Sequence, residues 1–368
     1  MLKKLLKFFG LVVVVALASF GVSLLVSGRG GDDTQTPITG FQEEPATFKA
    51  PSETETTRKL TNEDASFPFL MPNGTELRYY HARSGEIKSL NLLKAEESPS
   101  VIAAVRAQAS RIVWANSGIA IIATYPNQII ATNLITKTSK VLDKSITGPI
   151  YSPDGTDAAY LYFEGTSEEG TISIADVQFE NFKNVLKTRL KTWELQWPRN
   201  DLLSLVARTG ESLEFGSLYT LEIQNKKFIQ AIDLQKNLEV LWAPDSSHVL
   251  FSRETRRGME ISLLDTATIN ITHLKISTRA SKCVWKSDST SLYCALPDEP
   301  LKSENLNNSE DSFIEISLDS LDTKPQELIS TVDAGLIDAR NLIIAPALQS
   351  MIFRNFKDGR LYSVKLSQ

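Results

Sequence analysis

A short turn built from Asp, Asn, Gly, Ser and Pro recurs along this chain, and each copy follows an apolar run that ends in a bulky residue. The clearest copies are YSPDGTDAAYLYF from Tyr151, WAPDSSHVLFS from Trp242 and WKSDSTSLYCAL from Trp285. Weaker ones are LMPNGTELRYY from Leu70, WANSGIAIIAT from Trp114, WPRNDLLSLVA from Trp197 and IAPALQSMIFR from Ile344. Successive anchors lie 37 to 46 residues apart, except for a last interval of 59 that holds the polar insertion PDEPLKSENLNNSEDS, Pro297 to Ser312. Seven units over residues 58 to 368 average about 44 residues, inside the ~40 to 50 of a four-stranded propeller blade.

Between the turns, apolar and β-branched runs of a few residues follow one another, and no stretch from residue 58 onward carries a sustained helical period. The fifth unit shows the internal order: LEVLW, the APDSS turn, HVLFSRE, GMEISLLD and THLKIS, four strands of an antiparallel meander. The expected fold is all-β, a seven-bladed β-propeller, with six or eight blades as the alternatives that the weaker copies leave open. The seventh unit supplies only LIIA, MIFRN and LYSVKL before Gln368. A ring must close to avoid an exposed edge, so RKLT, Arg58 to Thr61, is predicted to add the missing strand to the seventh blade.

The x-S-P-D-G-x-x-apolar unit, as YSPDGTDAAY and WAPDSSHVLF, resembles the repeat of TolB-type periplasmic β-propellers, a WD-repeat-like family, over the propeller part only. The resemblance implies the fold. It implies no single chemistry, because such propellers serve as scaffolds, sensors and partner domains of enzymes alike. TolB-type chains carry a separate α/β domain before the propeller, and here an apolar segment and a polar stretch stand in that place.

The first residues, MLKKLLKFFGLVVVVALASFGVSLLVS, place Lys3, Lys4 and Lys7 before an uncharged run from Phe8 to Val26. Nineteen helical residues reach ~28 Å, close to the ~30 Å hydrocarbon core, so residues 1–27 read as a cytoplasmic stub and single transmembrane helix. The rival reading is a signal peptide cleaved after Ala16-Leu17-Ala18, but Phe20, Val22, Leu24, Leu25 and Val26 continue the apolar run past that point. With no cysteine nearby, a lipid anchor is not expected. Lysines before the helix place the N-terminus in the cytoplasm and the propeller outside it, in the periplasm or beyond the cell. Residues 28–57, rich in Gly, Pro, Thr and Glu, read as a flexible tether.

Lys and Arg total 39 against 44 Asp and Glu, a formal charge of -5, so no basic field invites nucleic acid. Two cysteines and three histidines leave little for a metal or cofactor site, and none is expected. No nucleophile elbow, phosphate loop, zinc helix or paired C-x-x-C motif occurs. An enzyme is therefore not the leading expectation. His81, His248 and His273 read as ordinary strand residues of three different units. Asp154, Asp245 and Asp288 read as turn formers that bond their own backbone, and Trp114, Trp197, Trp242 and Trp285 as packing between blades. The sequons at Asn73, Asn270 and Asn307 matter only in a eukaryotic source.

Cys283 and Cys294 flank the sixth turn symmetrically and lie opposite each other if their strands pair; a disulfide and two free thiols are both compatible with that. Three residues before each anchor stand Phe67, Arg111, Gly148, Glu194, Glu239, Lys282 and Asn341. If the first strand of each unit lines the channel, Arg111, Glu194, Glu239, Lys282 and Asn341 form a mixed-charge ring for a ligand or partner. Solvated strand starts are the plainer alternative. The leading expectation is a membrane-anchored, extracytoplasmic scaffold at a bacterial envelope that binds a protein partner or senses a ligand. The insertion, with Asp298, Glu299, Glu304, Glu310 and Asp311, suits a basic partner surface. The rivals are an envelope polysaccharide- or peptide-processing enzyme using Glu194 and Glu239 as paired carboxylates, and a purely structural component.

Overall fold

The computed structural model describes residues 57–94, 98–306, 308–321, 326–329 and 337–366. The expected transmembrane run 8–26, the tether up to residue 56 and the sequon at Asn307 lie outside the described residues. Among the described residues no helix is long and apolar enough to cross a membrane.

Seven four-stranded antiparallel sheets follow one another along the chain: residues 66–104, 111–141, 146–188, 193–236, 239–273, 283–329, and 339–365 joined by 57–59. Six are simple meanders. The seventh takes its outer strand from the other end of the ring: Thr57 pairs with Val364, Arg58 with Ser363 and Lys59 with Tyr362. The seven-bladed propeller and its closure by the segment at Arg58 are thus as the sequence predicts, with Leu60 N–H adding a further bond to Leu361 O at 2.7 Å.

The first strand of each blade is the inner one. Ser66–Leu70, Arg111–Trp114 and Ile146–Tyr151 touch in turn, and Ala339–Ala345 touches Ser66–Leu70 to complete the circle. The repeat sets the ladder: the anchor pairs with the residue seven positions on in six blades, as Leu70–Leu77, Trp114–Ile121, Tyr151–Ala158, Trp242–Val249, Trp285–Leu292 and Ile344–Met351. The fourth blade departs, with a bulge after Gln196 and a tight turn that pairs Arg199 with Leu202.

The recurrent turn owes its sequence to local bonding. Asp154, Asp245 and Asp288 each accept the backbone N–H two residues on, at 2.9 to 3.0 Å, and the hydroxyl of that same residue, at 2.7 to 2.8 Å. The residue after each Asp is left-handed, with φ of 73° at Gly155, 62° at Ser246 and 60° at Ser289. Turns of adjacent blades are also bonded to one another: Asn116 Nδ2 donates to Pro153 O, Asn200 Nδ2 to Asp154 Oδ2, Ser246 Oγ to Pro198 O, and Asp245 N to Ser289 Oγ.

Each blade face buries aliphatic side chains against its neighbour, as Val206, Leu218, Val249 and Phe251 do between the fourth and fifth blades. Three tryptophans bridge blades as expected: the indole N–H donates to Phe67 O from Trp114, to Ser204 Oγ from Trp242 and to Leu241 O from Trp285. Trp197 also packs between blades, but its buried indole N–H has no partner among the described residues. The three histidines sit on strands and each shares a hydrogen bond with a serine, Ser84, Ser247 or Ser262.

Candidate functional site

The five charged or polar positions expected at the channel fall into three situations. Glu194 and Glu239 are clasped by arginines. Arg208 donates to Glu194 Oε2 through Nε at 2.8 Å and Nη2 at 2.5 Å, while its Nη1 reaches Leu238 O at 2.6 Å. Arg279 holds Glu239 through Nε at 2.8 Å and through Nη2, and the Ser281 N–H completes that carboxylate's partners at 3.1 Å. Neither carboxylate is free to act on a ligand without first leaving its arginine.

Lys282 is not at a mouth at all. It ends the 3-10 turn Ala280–Lys282, is 1% exposed, and donates to Asp311, Asp338, Ser309 and the carbonyl of Ala339. Burial raises the pKa of Asp311 above its ordinary value despite the lysine. Burial acts the same way on Asp338, but Arg340 and Lys282 outweigh it and hold that carboxyl below the usual range. Asp311 is thus an internal partner rather than part of an exposed acidic loop.

Asn341 is exposed and left-handed, with φ of 52°. It sits in a β-bulge between Arg340 and Ile343, so Arg340, opposite Arg354, takes the ladder place that Arg111 and Glu239 hold opposite Thr124 and Ser252. Phe67 and Gly148 are displaced in the same way, each left-handed within a bulge. An extra residue in three inner strands breaks the equivalence that counting back from the anchor assumes.

Arg111 remains. It opens the inner strand of the second blade, half-buried, and its guanidinium has no hydrogen-bond or ion-pair partner among the described residues. Burial lowers its pKa from the ordinary value, and the opposing pull comes from the Glu194 carboxylate. Glu194 belongs to the fourth blade, so that pull comes from two blades away.

The insertion between the second and third strands of the sixth blade is bonded to the ring. Leu301 is buried and accepts the Met259 N–H at 2.6 Å, and the Leu306 carbonyl accepts Arg279 Nη1 at 3.1 Å and Arg340 Nη2 at 3.3 Å. Asp298, Glu299 and Glu310 line a hollow within it. Cys283 and Cys294 are direct cross-strand partners with Cα atoms 4.1 Å apart, and they are joined as a disulfide. The partners Arg208, Arg279, Asp338 and Arg340 were not signalled by the repeat, since each lies far from the residue it binds or one place off the counted position.

No protein-family model matches the sequence, and no curated protein does. Solved structures match the fold. An oligogalacturonate lyase in complex with manganese aligns with a TM-score of 0.59 at 11% identity, over 85% of this chain and 91% of that one. The β-propeller domain of Cps50 (Swd1) from Myceliophteria thermophila gives 0.57 at 9%, over 84% and 100%. TolB from Acinetobacter baumannii gives 0.46 at 14%, over 67% and 62%. In fold this chain is a seven-bladed β-propeller. Identities this low speak to architecture alone, and chemistry has to be argued from the residues.

Proposed function

We propose that this chain is a membrane-anchored, extracytoplasmic propeller that holds a protein partner or ligand at a bacterial cell envelope, with the channel face at Arg111 as the contact. The observation that carries the reading is the Arg111 guanidinium, half-buried on an inner strand and without a partner among the described residues, whereas Glu194, Glu239 and Lys282 of other blades are already neutralised within the chain. A partly desolvated guanidinium with free donors suits a carboxylate, which it can take in two parallel hydrogen bonds. A peptide C-terminus or an Asp or Glu side chain of a partner has that chemistry. The membrane and envelope parts of the reading rest on the uncharged run from Phe8 to Val26 behind Lys3, Lys4 and Lys7.

The test is capture by crosslinking from the full-length chain in membranes, comparing wild type with Arg111→Gln and Arg111→Glu. The expected result is a saturable partner whose capture falls in the first variant and disappears in the second. Equal capture by all three removes Arg111 from the contact, and no saturable partner at all favours a purely structural component. The enzyme reading gains nothing from Glu194 and Glu239, because each is held by an arginine.

A further inference from the structure

The third blade packs Tyr151, Ala158, Tyr160 and Ala175 against Ile129 and Ala131 of the second. Beyond Tyr160 the third blade opens into a cleft of ≈ 540 Å³, lined by its own strands and turns and by Asp143 of the loop before it. Its walls are aromatic. Tyr160 and Tyr162 come from the strand Asp157–Tyr162, and Phe179 and Phe182 from the turn after Gly170–Asp176. That turn is set in advance: Asp176 accepts the N–H groups of Gln178 and Glu180 and the side-chain amide of Asn181, and Phe179, at φ 58°, brings its ring to 5.9 Å from Tyr160.

Two features show that the cleft is more than a packing gap. Tyr160 is only 4% exposed, yet its hydroxyl has no hydrogen-bond partner among the described residues and is not among the sealed unpaired atoms, so it meets the open space of the cleft. Burial first, then Tyr162 and Asp176, keeps that hydroxyl's pKa above the ordinary value, so it stands as a neutral O–H. Phe182, by contrast, is 67% exposed, an aromatic ring on the wall of the cleft. The charge around the opening is unbalanced: Asp143, Glu164 and Glu169 line it against Lys187 alone, and that lysine stands 3.9 Å from Glu169.

Aromatic faces carry negative quadrupoles and attract cations, and carboxylates at the rim add to that field. An anion would meet three carboxylates, and a neutral ligand would leave them unused. We propose that this cleft of the third blade is a binding site for an organic cation, an alkylammonium or guanidinium group carried by a small molecule or by a Lys or Arg side chain of a peptide. The site is separate from the Arg111 contact, takes the opposite charge, and does not depend on it.

The test is calorimetric titration of the full-length chain with choline, with lysine blocked at both termini, and with 3,3-dimethylbutan-1-ol, the neutral isostere of choline. Saturable binding of either cation, with the alcohol weaker by about tenfold or more, is expected. Phe182→Ala and the pair Glu164→Gln with Glu169→Gln should each raise the cation Kd by roughly tenfold while the Tm stays put, because all three residues are exposed. Choline binding more tightly than blocked lysine points to a small-molecule source, and the reverse to a peptide. The proposal is overturned if neither cation saturates, if the alcohol binds as well as choline, or if the variants leave the Kd unchanged.

Discussion

Lys282 Nζ lies 2.6 Å from Asp311 Oδ2 and 2.7 Å from Asp338 Oδ1, and all three side chains are 0 to 1% exposed. This one lysine joins the start of the sixth blade, the strand that follows the insertion, and the start of the seventh. Removing one partner from a buried charge cluster leaves the others uncompensated, at about 3 to 5 kcal/mol. Lys282→Met should therefore lower the Tm by on the order of 10 °C. Asp311→Asn should cost less, since Asp338 still meets the lysine and an amide oxygen can still accept. Thermal melts of the two variants check the order, and a milder Lys282→Met would mean that the cluster is dispensable.

The closure at Thr57–Lys59 gives a second expectation. Thr61 is 2% exposed and its Oγ accepts the Leu361 N–H at 3.0 Å, while Arg354 reaches back to Asp64 at 2.6 Å. Deleting the chain through Thr61 strips the Thr57–Lys59 ladder and the Thr61 bond from the strand Leu361–Lys365, leaves Asp64 near the new terminus to hold Arg354, and opens a sheet edge. The Tm should fall by about 5 °C or more, and the protein should aggregate on heating at concentrations where wild type does not. A melt unchanged by the deletion would show that the ring does not need this strand.

What was legible in the sequence was what is local. Asp154, Asp245 and Asp288 bond atoms two residues away, so their turns could be recognised from short motifs, and the anchor-to-seventh pairing repeats because the turn length repeats. The ring of charges was less legible for two physical reasons. A bulge adds a residue without any obligatory residue type: Gly148 and Asn341 tolerate the left-handed region, but Phe67 at φ 52° gives no such sign. Ion-pair partners also come from afar, as Arg279 lies 40 residues from Glu239 and Asp338 lies 56 from Lys282. Trp197 shows the same limit, because the shorter fourth turn shifts it off the register of the other anchors.

Cys283 and Cys294 stand opposite each other in the sixth blade and are bonded. Closing a loop of this length restricts the unfolded chain by about 2 to 3 kcal/mol. Thiol titration of the denatured, unreduced protein should find no free thiol, and Cys294→Ala should lower the Tm by several degrees. Two titratable thiols in material purified without reductant would show that the pair stays reduced in the cell.

Glu254 gives the pH dependence its sign. Its carboxylate accepts from the Ser303 N–H at 3.1 Å, the Ser303 hydroxyl at 2.6 Å, Asn237 at 2.7 Å and Lys236 at 3.0 Å, tying the strand His248–Thr255 to the insertion. Burial works against the charged form, but the Ser303 donors and Lys236 override it and bring the pKa down from 4.5 to about 2. A carboxyl depressed on folding adds stability that is fully present above its unfolded value and disappears as the pH falls through the folded one. After allowance for solvent screening this amounts to about 2 kcal/mol at neutral pH. Glu254→Gln should thus be less stable than wild type at pH 7, and the gap should close as the pH falls from 4.5 toward 2. Over the same range the protection factor of the Met259 amide, which bonds Leu301 O at 2.6 Å, should fall in wild type once the slowing of intrinsic exchange by acid is divided out. A stability gap that does not change with pH would mean that the insertion is held by its buried Leu301 and not by this carboxylate.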